Sequence, residues 1–293
     1  MECWGMKSII YYFSGTGNSL HVARELQKRI PGSDVLPILD GLDNVEIKAD
    51  AETVGFVFPV YFLTIPFPYK IFLNKLDLST VQYIFAVGTR GGTKSEAFSD
   101  IDEILMKKGK KLNATLNINM VFNNMLGKDI HVPFDDELKT LEADIQEKLD
   151  TFGKIIVSEK DYIIGDKDIT YRLPLWKTIL FIPFRKFLIK KLFVMYQKMF
   201  FYYTTNCTGC GICEKVCLSE KIKMADCHPV WREEIVCYSC FACLNFCPQH
   251  SIQIRSGLVY KSYTNVNGRY HYPQITVNDI AGQKGEIRND KFP

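Results

Sequence analysis

The chain has 293 residues, of which 47% are hydrophobic and 24% are charged. That balance is found in ordinary globular proteins, so it excludes a disordered tail protein and a collagen-like repeat. The length predicts about two domains. No apolar run reaches the ~18 residues of a membrane-spanning helix, and no basic flank precedes the short apolar run at the N-terminus. We therefore expect a cytoplasmic protein without a secretory signal.

The net charge of +3 is divided unevenly along the chain. Residues 1–164 carry 18 Lys and Arg against 23 Asp and Glu, a net charge of −5, whereas residues 165–293 carry 18 against 10, a net charge of +8. An acidic half joined to a basic half predicts two domains that attract each other or bind different partners. The basic half has no zinc-finger or RNP-type spacing, so we expect no nucleic-acid partner.

The first domain is predicted over residues 1–164, where strand patterns alternate with helix patterns. The predicted strands are 8–13, 34–39, 54–58, 83–88 and 115–121. The predicted helices are 20–30, 68–76, 93–110 and 138–156. Five strands that alternate with helices are typical of an α/β fold with a doubly wound parallel five-stranded sheet.

The segment 165–204 has a different composition and is predicted to be a basic, aromatic-rich linker. Residues 171–206 contain seven Lys and Arg and no acidic residue, set among many aromatic and aliphatic side chains. One interpretation is a basic amphipathic segment that makes a peripheral contact with an anionic membrane. The other is a linker of short helices packed over the two domains, which we favour because both flanks belong to compact domains.

Nine of the ten cysteines lie between Cys207 and Cys247, where the sequence repeats itself. The run CTGCGICEKVC at 207–217 recurs thirty residues later as CYSCFACLNFC at 237–247, and both runs read C-x2-C-x2-C-x3-C. Such a concentration of cysteine in a reducing compartment indicates metal or redox chemistry, because structural disulfides do not persist there.

The spacing predicts two [4Fe–4S] clusters in a small domain at 205–255. In the bacterial two-cluster arrangement, the fourth cysteine of each run binds the other cluster. One predicted ligand set is Cys207, Cys210, Cys213 and Cys247, and the other is Cys217, Cys237, Cys240 and Cys243. The competing interpretation is a pair of zinc sites, but zinc motifs pair two separated C-x2-C units and do not need four cysteines in each of two runs. Gly209 and Gly211 allow backbone N–H groups to approach the sulfurs closely.

The two runs resemble the bacterial two-cluster ferredoxins. The proline that follows the fourth cysteine in that family is present as Pro248, but Leu218 stands in its place after Cys217. Cys3 and Cys227 are left over from the two sets. We interpret them as incidental or small buried thiols, with a metal-ligand role of Cys227 as the alternative.

The first predicted strand runs directly into a loop with the sequence SGTGNS, which is followed by a helix. A turn at a helix N-terminus offers free N–H groups and a favourable dipole to an anion. No lysine follows, so the loop is not the P-loop of a nucleoside-triphosphate enzyme. Its glycines and hydroxyl groups suit one dianionic phosphate monoester. The predicted phosphate-binding residues are Ser14, Gly15, Thr16, Gly17, Asn18 and Ser19.

The N-terminal half resembles flavodoxins, whose FMN phosphate loop reads much like SGTGNS, and the resemblance implies an FMN-binding domain. In such folds the ligand lies beyond the carboxyl ends of the strands. The implied ring-binding residues are Pro59, Val60, Tyr61 and Phe62 after the third strand, and Thr89, Arg90, Gly91 and Gly92 after the fourth. The first loop offers an aromatic face to the isoalloxazine ring. Arg90 offers a charge to anionic reduced flavin, with a solvent-facing salt bridge as the alternative role. Flavodoxins often place a second aromatic residue in the loop after the fourth strand, and this chain has none there.

The whole chain resembles the EFR-type ferrodoxin fusion proteins of anaerobic bacteria, which join a flavodoxin half to a two-cluster ferredoxin. The stretch 269–280, within a polar extension at 256–293 expected to wrap the surface, resembles their C-terminal extension. The resemblance implies an electron-transfer protein that passes electrons between FMN, two [4Fe–4S] clusters and other redox proteins, and it implies no catalytic acid or base. The alternatives are an FMN-dependent reductase of a small molecule, fed through its clusters, and a cluster-bearing scaffold protein without flavin.

Overall fold

The computed structural model of the chain describes residues 7–93, 95–122, 132–163, 201–257 and 261–285. Most of the predicted linker, most of the alternative membrane segment, and Cys3 lie outside the described residues. Within the described ranges, no helix is long and apolar enough to cross a membrane.

Five parallel strands form the main sheet. They are β1 (Ser8–Tyr12), β2 (Ser33–Pro37), β4 (Thr53–Pro59), β6 (Tyr83–Arg90) and β7 (Ala114–Asn119). Two shorter strands, β3 (Ile47–Lys48) and β5 (Leu76–Asp77), form a separate parallel pair. The order across the main sheet is β2-β1-β4-β6-β7, which is the 2-1-3-4-5 order of flavodoxin-like folds. The prediction of a doubly wound parallel sheet of five strands is therefore confirmed.

Four helices flank this sheet. They are α1 (Asn18–Gln27), α2 (Phe67–Lys75), α3 (Ala97–Met106) and α4 (Asp135–Val157). Every residue of β1 and β6 is buried, because a parallel sheet covered on both faces excludes water along its strands. Gly55 in β4 leaves room for a neighbouring ring, since a Cβ atom there would lie 2.1 Å from the Phe85 side chain.

The prediction of a helix over 93–110 is wrong at both ends. The helix α3 begins at Ala97 and ends at Met106. Gly109 follows with a φ of 69°, a left-handed conformation that continues no helix.

The prediction of loops after the third and fourth strands is also wrong in part. The strand β4 continues to Pro59 and β6 continues to Arg90, because each finds a partner in a neighbouring strand. Thr89 pairs with Pro59, and Arg90 pairs with Asn119 of β7. Pro59, Thr89 and Arg90, which were predicted to be loop residues, therefore belong to the sheet.

The cysteine region, residues 201–257, contains two antiparallel strand pairs and two short helices. The pairs are β8 (Phe201–Tyr203) with β11 (Ile252–Ile254) and β9 (Ile222–Ala225) with β10 (His228–Trp231). The helices are α5 (Ile212–Lys215) and α6 (Ala242–Asn245), which occupy equivalent places in the two copies of the repeat. A small apolar core packs against the cysteines and is formed by Ile222, Phe241, Leu244, Ile252 and Ile254.

Residues 261–285 of the C-terminal extension connect the cysteine region to the main sheet. They contain α7 (Val277–Ala281) and a 3-10 turn (Gly282–Lys284). On one side, the N–H of Tyr270 donates to Asn245 Oδ1 at 3.1 Å. On the other side, the fully buried Gln283 pairs with the backbone N–H and carbonyl of Ser14 at 2.9 and 2.8 Å. The extension therefore does more than wrap the surface as expected, because Tyr270 and Gln283 are buried in its contacts with the two regions.

Candidate functional site

A cleft lies at the carboxyl edge of the main sheet, where β1 and β4 end beside each other. This edge is the expected place for a ligand in a doubly wound sheet. The predicted flavin residues that line it are Ser14, Gly15, Thr16, Asn18, Ser19, Pro59, Val60, Tyr61, Phe62, Thr89, Arg90 and Gly91. Gly17 and Gly92 were predicted too, but they are not among the described residues of its lining. A Cβ atom at Gly17 would lie 2.8 Å from the Ile275 side chain, so Gly17 faces the C-terminal extension instead.

The first turn of α1 contributes to the cleft through Asn18 and Ser19, and its N-cap residue, Gly17, has no side chain that could cap the helix. Gly17 precedes it with a φ of 99°, and its N–H donates to Ser14 Oγ at 3.1 Å. Asn18 and Ser19, the first two residues of the helix, are buried. The N–H groups of a first helical turn need partners where water is excluded, and the helix dipole makes this end positive. The buried turn therefore fits a phosphate group.

Two buried polar atoms of the cleft lining have no hydrogen-bond partner of normal geometry among the described residues, namely Asn18 Oδ1 and Ser239 Oγ. Their neighbours are paired: Asn18 Nδ2 donates to the Val121 carbonyl at 3.2 Å, and the hydroxyls of Ser19 and Thr89 lie 2.8 Å apart. Buried polar atoms are normally satisfied. Two exceptions in one cleft fit a ligand that carries both hydrogen-bond donors and acceptors.

Arg90 places a positive charge in the wall of the cleft. Only 4% of the residue is exposed, and its Nε donates to Asn119 Oδ1 at 3.0 Å. The Arg90 side chain therefore does not face the solvent, whereas its alternative role required it to. A guanidinium in so dry a place favours an anionic ligand, because electrostatic interactions strengthen where water is excluded.

Aromatic side chains line the cleft from three directions. Tyr61 and Phe62 follow β4, as predicted, whereas the sequence interpretation missed Phe122 and Phe241. Phe122 follows β7, and a Cβ atom at Gly91 would lie 2.1 Å from its ring. The rule that ligands meet the carboxyl ends of parallel strands could have identified Phe122. No local sequence feature identifies Phe241. The remaining lining residues that were not predicted are Leu63, Thr93, Val121 and Ser239.

Four residues of the cleft have a left-handed backbone although none of them is glycine. Their φ values are 50° at Phe62, 68° at Leu63, 55° at Ser239 and 56° at Phe241. Each such conformation costs about 1–3 kcal/mol and persists only where the surrounding packing imposes it. Strain of this kind is concentrated at ligand sites.

The first cysteine group consists of Cys207, Cys210, Cys213 and Cys247, which line one small cavity. Burial is the main cause that raises the pKa of Cys213 to about 12, and the sulfurs of the other three add to the shift. The N–H of Ser251 donates to Cys247 Sγ at 3.2 Å. Hydrogen bonds to sulfur are among the factors that set the potential of an iron–sulfur cluster.

The second cysteine group consists of Cys217, Cys237, Cys240 and Cys243. Burial is the main cause that raises the pKa of Cys237 to about 11, and the sulfur of Cys217 adds to the shift. Burial also raises the pKa of Cys243, and the sulfurs of the other three add to it. The fourth cysteine of each run therefore lies beside the first three cysteines of the other run.

The donor set fits two clusters of four irons. In the part of the chain that the structure describes, no group of three or more His, Cys, Asp or Glu side chains is arranged to hold a metal ion. Eight thiols in two groups of four are the ligands that two cubane clusters need.

Cys227 lies outside both groups. It is exposed at the turn between β9 and β10, so it is not a small buried thiol, and the interpretation of Cys227 as an incidental thiol stays a prediction. Its carbonyl oxygen would lie 2.6 Å from a Cβ atom at Gly209, which explains the glycine in the first copy of the repeat. The neighbouring His228 Nδ1 pairs with the Asp226 carbonyl at 2.8 Å.

The second cysteine group lies directly against the cleft. A Cβ atom at Gly15 would lie 2.4 Å from the carbonyl oxygen of Cys240 and 2.8 Å from the Tyr61 hydroxyl, so only glycine fits between them. That hydroxyl is hydrogen-bonded to the backbone of Gly15. Burial holds the pKa of Tyr61 well above its usual value, and the sulfurs of Cys240 and Cys237 add to the shift. The phenol therefore stays neutral at the junction of the two sites.

No protein-family model matches the chain, and no curated protein matches it. Among solved structures, a putative flavoprotein from Bacteroides uniformis is 14% identical with a TM-score of 0.34, and the match covers 51% of this chain and 99% of that chain. The two-electron reduced flavodoxin of Megasphaera elsdenii is 16% identical with a TM-score of 0.32, covering 50% and 98%.

The rubredoxin oxygen:oxidoreductase of Desulfovibrio gigas is 16% identical with a TM-score of 0.31. The match covers 50% of this chain but only 36% of that chain, so this chain spans about a third of that protein's length. Because these TM-scores are low, the flavodoxin-like fold rests on the strand order of the sheet and not on the three likenesses.

Proposed function

We propose that the chain is an electron carrier that binds FMN in the cleft and one [4Fe–4S] cluster in each cysteine group. The observation that carries the proposal is the contact between the two sites, where Cys240 of the second group lies against Gly15 and Tyr61. Electron transfer slows steeply with distance. Two redox groups held on either side of such a contact therefore exchange electrons readily.

The residues of the cleft match the parts of FMN. The buried first turn of α1 receives the phosphate, because its N–H groups and dipole both favour an anion. Tyr61, Phe62 and Phe122 offer apolar faces to a flat ring. Arg90 supplies a positive charge that favours the anionic reduced ring.

The two cysteine groups have different access to solvent. When bound, FMN supplies one- and two-electron chemistry and each cluster supplies one-electron chemistry, so the chain connects redox partners of both kinds. Cys210 of the first group is exposed, whereas Cys240 of the second group is packed against the cleft. An external redox protein therefore meets the first group, and the second group connects it to the flavin.

The cofactor content tests the proposal directly. Anaerobically purified or reconstituted protein is expected to contain about eight iron atoms and one FMN per chain. Iron, zinc and flavin are measured on one sample together with the visible spectrum. Stoichiometric zinc without broad cluster absorbance would contradict the cluster half of the proposal, and full iron without flavin would contradict the flavin half.

Substitutions in the phosphate turn separate the two cofactors. The double variant Thr16→Ala, Asn18→Ala is expected to release FMN, because donors to the phosphate are lost, and to keep its iron. The matched control is Thr140→Ala, Asn74→Ala, which removes the same groups from the exposed surface of α4 and α2. Loss of iron from the first variant would show that the flavin site and the cluster sites are not separate.

Internal electron transfer is the functional test. A fused domain meets its neighbour at an effective concentration of roughly millimolar. Flash photolysis reduces the clusters, and the flavin absorbance is followed at several protein concentrations. A first-order rate that does not depend on concentration is expected. A rate that rises with concentration means that electrons pass between molecules, and it contradicts the proposed internal path.

A further inference from the structure

Ser239 is a polar side chain that the cysteine region contributes to the cleft. Only 2% of it is exposed, and its Oγ has no hydrogen-bond partner of normal geometry among the described residues. Burial raises the pKa of the adjacent Cys237 thiol, and the Ser239 hydroxyl opposes that shift as a weak partner of the sulfur. A hydroxyl has one donor and two acceptor positions. Most of its hydrogen-bonding capacity is therefore left for a ligand.

The first copy of the repeat shows that the left-handed backbone at the position of Ser239 does not require a side chain. The equivalent residue there is Gly209, with a φ of 69° against 55° at Ser239. Glycine adopts this left-handed conformation without strain, whereas serine does not. Ser239 therefore holds an unfavourable conformation that glycine would relieve, and what it adds in return is a hydroxyl in the cleft.

We propose that Ser239 is a flavin-binding residue, whose hydroxyl hydrogen-bonds the ring of FMN in the cleft, so that the cysteine region completes the flavin site. The inference rests on the proposed function. Two neighbours favour the ring over the phosphate. Cys240 lies against Tyr61, a predicted ring-binding residue, as well as against Gly15 of the phosphate turn. Phe241 adds an aromatic side chain to the same cleft. The edge of an isoalloxazine ring carries both carbonyl acceptors and an N–H donor, and a hydroxyl pairs with either.

A flavin site to which both the main sheet and the cysteine region contribute couples flavin binding to the contact between these two regions. Binding of the flavin ring favours docking of the second cysteine group against the sheet. By thermodynamic linkage, docking of that group favours ring binding by the same factor.

The test measures binding of FMN and of riboflavin, by quenching of flavin fluorescence, to the full chain with its iron in place and its flavin removed. Ser239→Ala removes the hydroxyl and is expected to weaken binding of both flavins about tenfold, the effect of one hydrogen bond. Ser239→Gly also removes the hydroxyl but relieves the backbone. It is expected to weaken binding by a similar factor while raising the midpoint of unfolding. The iron content is expected to stay at the wild-type level.

The control is Thr208→Ala, which takes an exposed hydroxyl from the first copy and is expected to leave both dissociation constants unchanged. A purely structural role of Ser239 requires the less strained Ser239→Gly to bind flavin as the wild type does, and that result overturns the inference. Weaker binding of FMN with unchanged riboflavin binding also overturns it, because the hydroxyl then contacts the phosphate. If Ser239→Ala loses iron, Ser239→Gly decides the question. Wild-type protein that binds neither flavin refutes the proposed function itself.

Discussion

The two copies of the cysteine repeat share a backbone but have different surroundings. Gly209 and Gly211 of the first copy have φ values of 69° and 75°, and the equivalent Ser239 and Phe241 of the second copy have 55° and 56°. Each copy then continues into a helix of four residues. The cavity of the first copy is lined by residues of the cysteine region alone, whereas the second copy packs against the cleft of the main sheet.

The difference shows at which positions the contacts of a side chain compensate for the free-energy cost of a left-handed backbone. A left-handed residue other than glycine costs roughly 1–2 kcal/mol, and both strained positions of the second copy line the cleft. In the first copy, a Cβ atom at Gly211 would have no neighbour within 4 Å among the described residues, and a side chain at Gly209 would collide with the Cys227 carbonyl, so glycine is retained at both positions. In the second copy, the side chains of Ser239 and Phe241 line the cleft.

The largest expected effect comes from removing one cysteine of each copy. Cys210→Ala and Cys240→Ala are each expected to lose one cluster, about four of about eight iron atoms. Only Cys240→Ala removes the cluster that we propose beside the cleft, so only in this variant is the remaining cluster expected to reduce the flavin slowly. Flash photolysis and iron analysis measure the two quantities. Equal flavin reduction rates in the two variants would show that the copies are equivalent as electron donors.

A smaller effect is expected from disturbing the contact between the second copy and the sheet. Gly15→Ala introduces a Cβ atom 2.4 Å from the Cys240 carbonyl oxygen, so the backbone has to move, at about 1–3 kcal/mol of stability. Gly282→Ala is the matched control, because it adds a methyl group with no neighbour within 4 Å among the described residues, at a backbone with a φ of −59° that any residue adopts. Denaturant unfolding measures both. If Gly15→Ala destabilises the chain no more than Gly282→Ala, the two regions do not meet at Gly15.

The smallest expected effect concerns the extension that holds the two regions together. Tyr272 stacks on His21 with ring centroids 4.0 Å apart and donates to Glu142 Oε2 at 2.8 Å. Burial lowers the pKa of His21, although the Glu142 carboxylate opposes the shift. The unfolded chain therefore takes up a proton at about pH 6.5, which the folded chain takes up only at lower pH. Stability is expected to fall as the pH drops below about 6.5, by less than about 1.4 kcal/mol per pH unit.

His21→Gln tests this pH dependence, because it keeps a polar side chain and removes the titrating group. Thermal unfolding is compared between about pH 7.5 and about pH 5.5. Burial and the charge of Arg269 also lower the pKa of His250, so the variant is expected to reduce the slope and not to abolish it. An unchanged slope would place the acid sensitivity outside the contact of the extension with α1.

The main sheet could be predicted closely because its pattern is local. Buried parallel strands read as continuous apolar runs, and five of them alternate with helices. The ends of elements were less predictable. The strand β6 continues to Arg90 because Asn119, in another strand, offers it a partner. A pairing of that kind depends on residues far along the chain and leaves no mark on the local sequence.

The sequence by itself was enough to predict which chemistries the chain offers: the SGTGNS turn before a helix indicates an anion site, and the spacing of eight cysteines indicates two groups of four. Only the tertiary structure decided how the two sites meet. Cys240 lies against Gly15, and Gln283 pairs with Ser14 across 269 residues of sequence. The reason is physical. A turn or a ligand spacing is determined by neighbouring residues, whereas the contact between two domains depends on the packing of surfaces that distant segments build together.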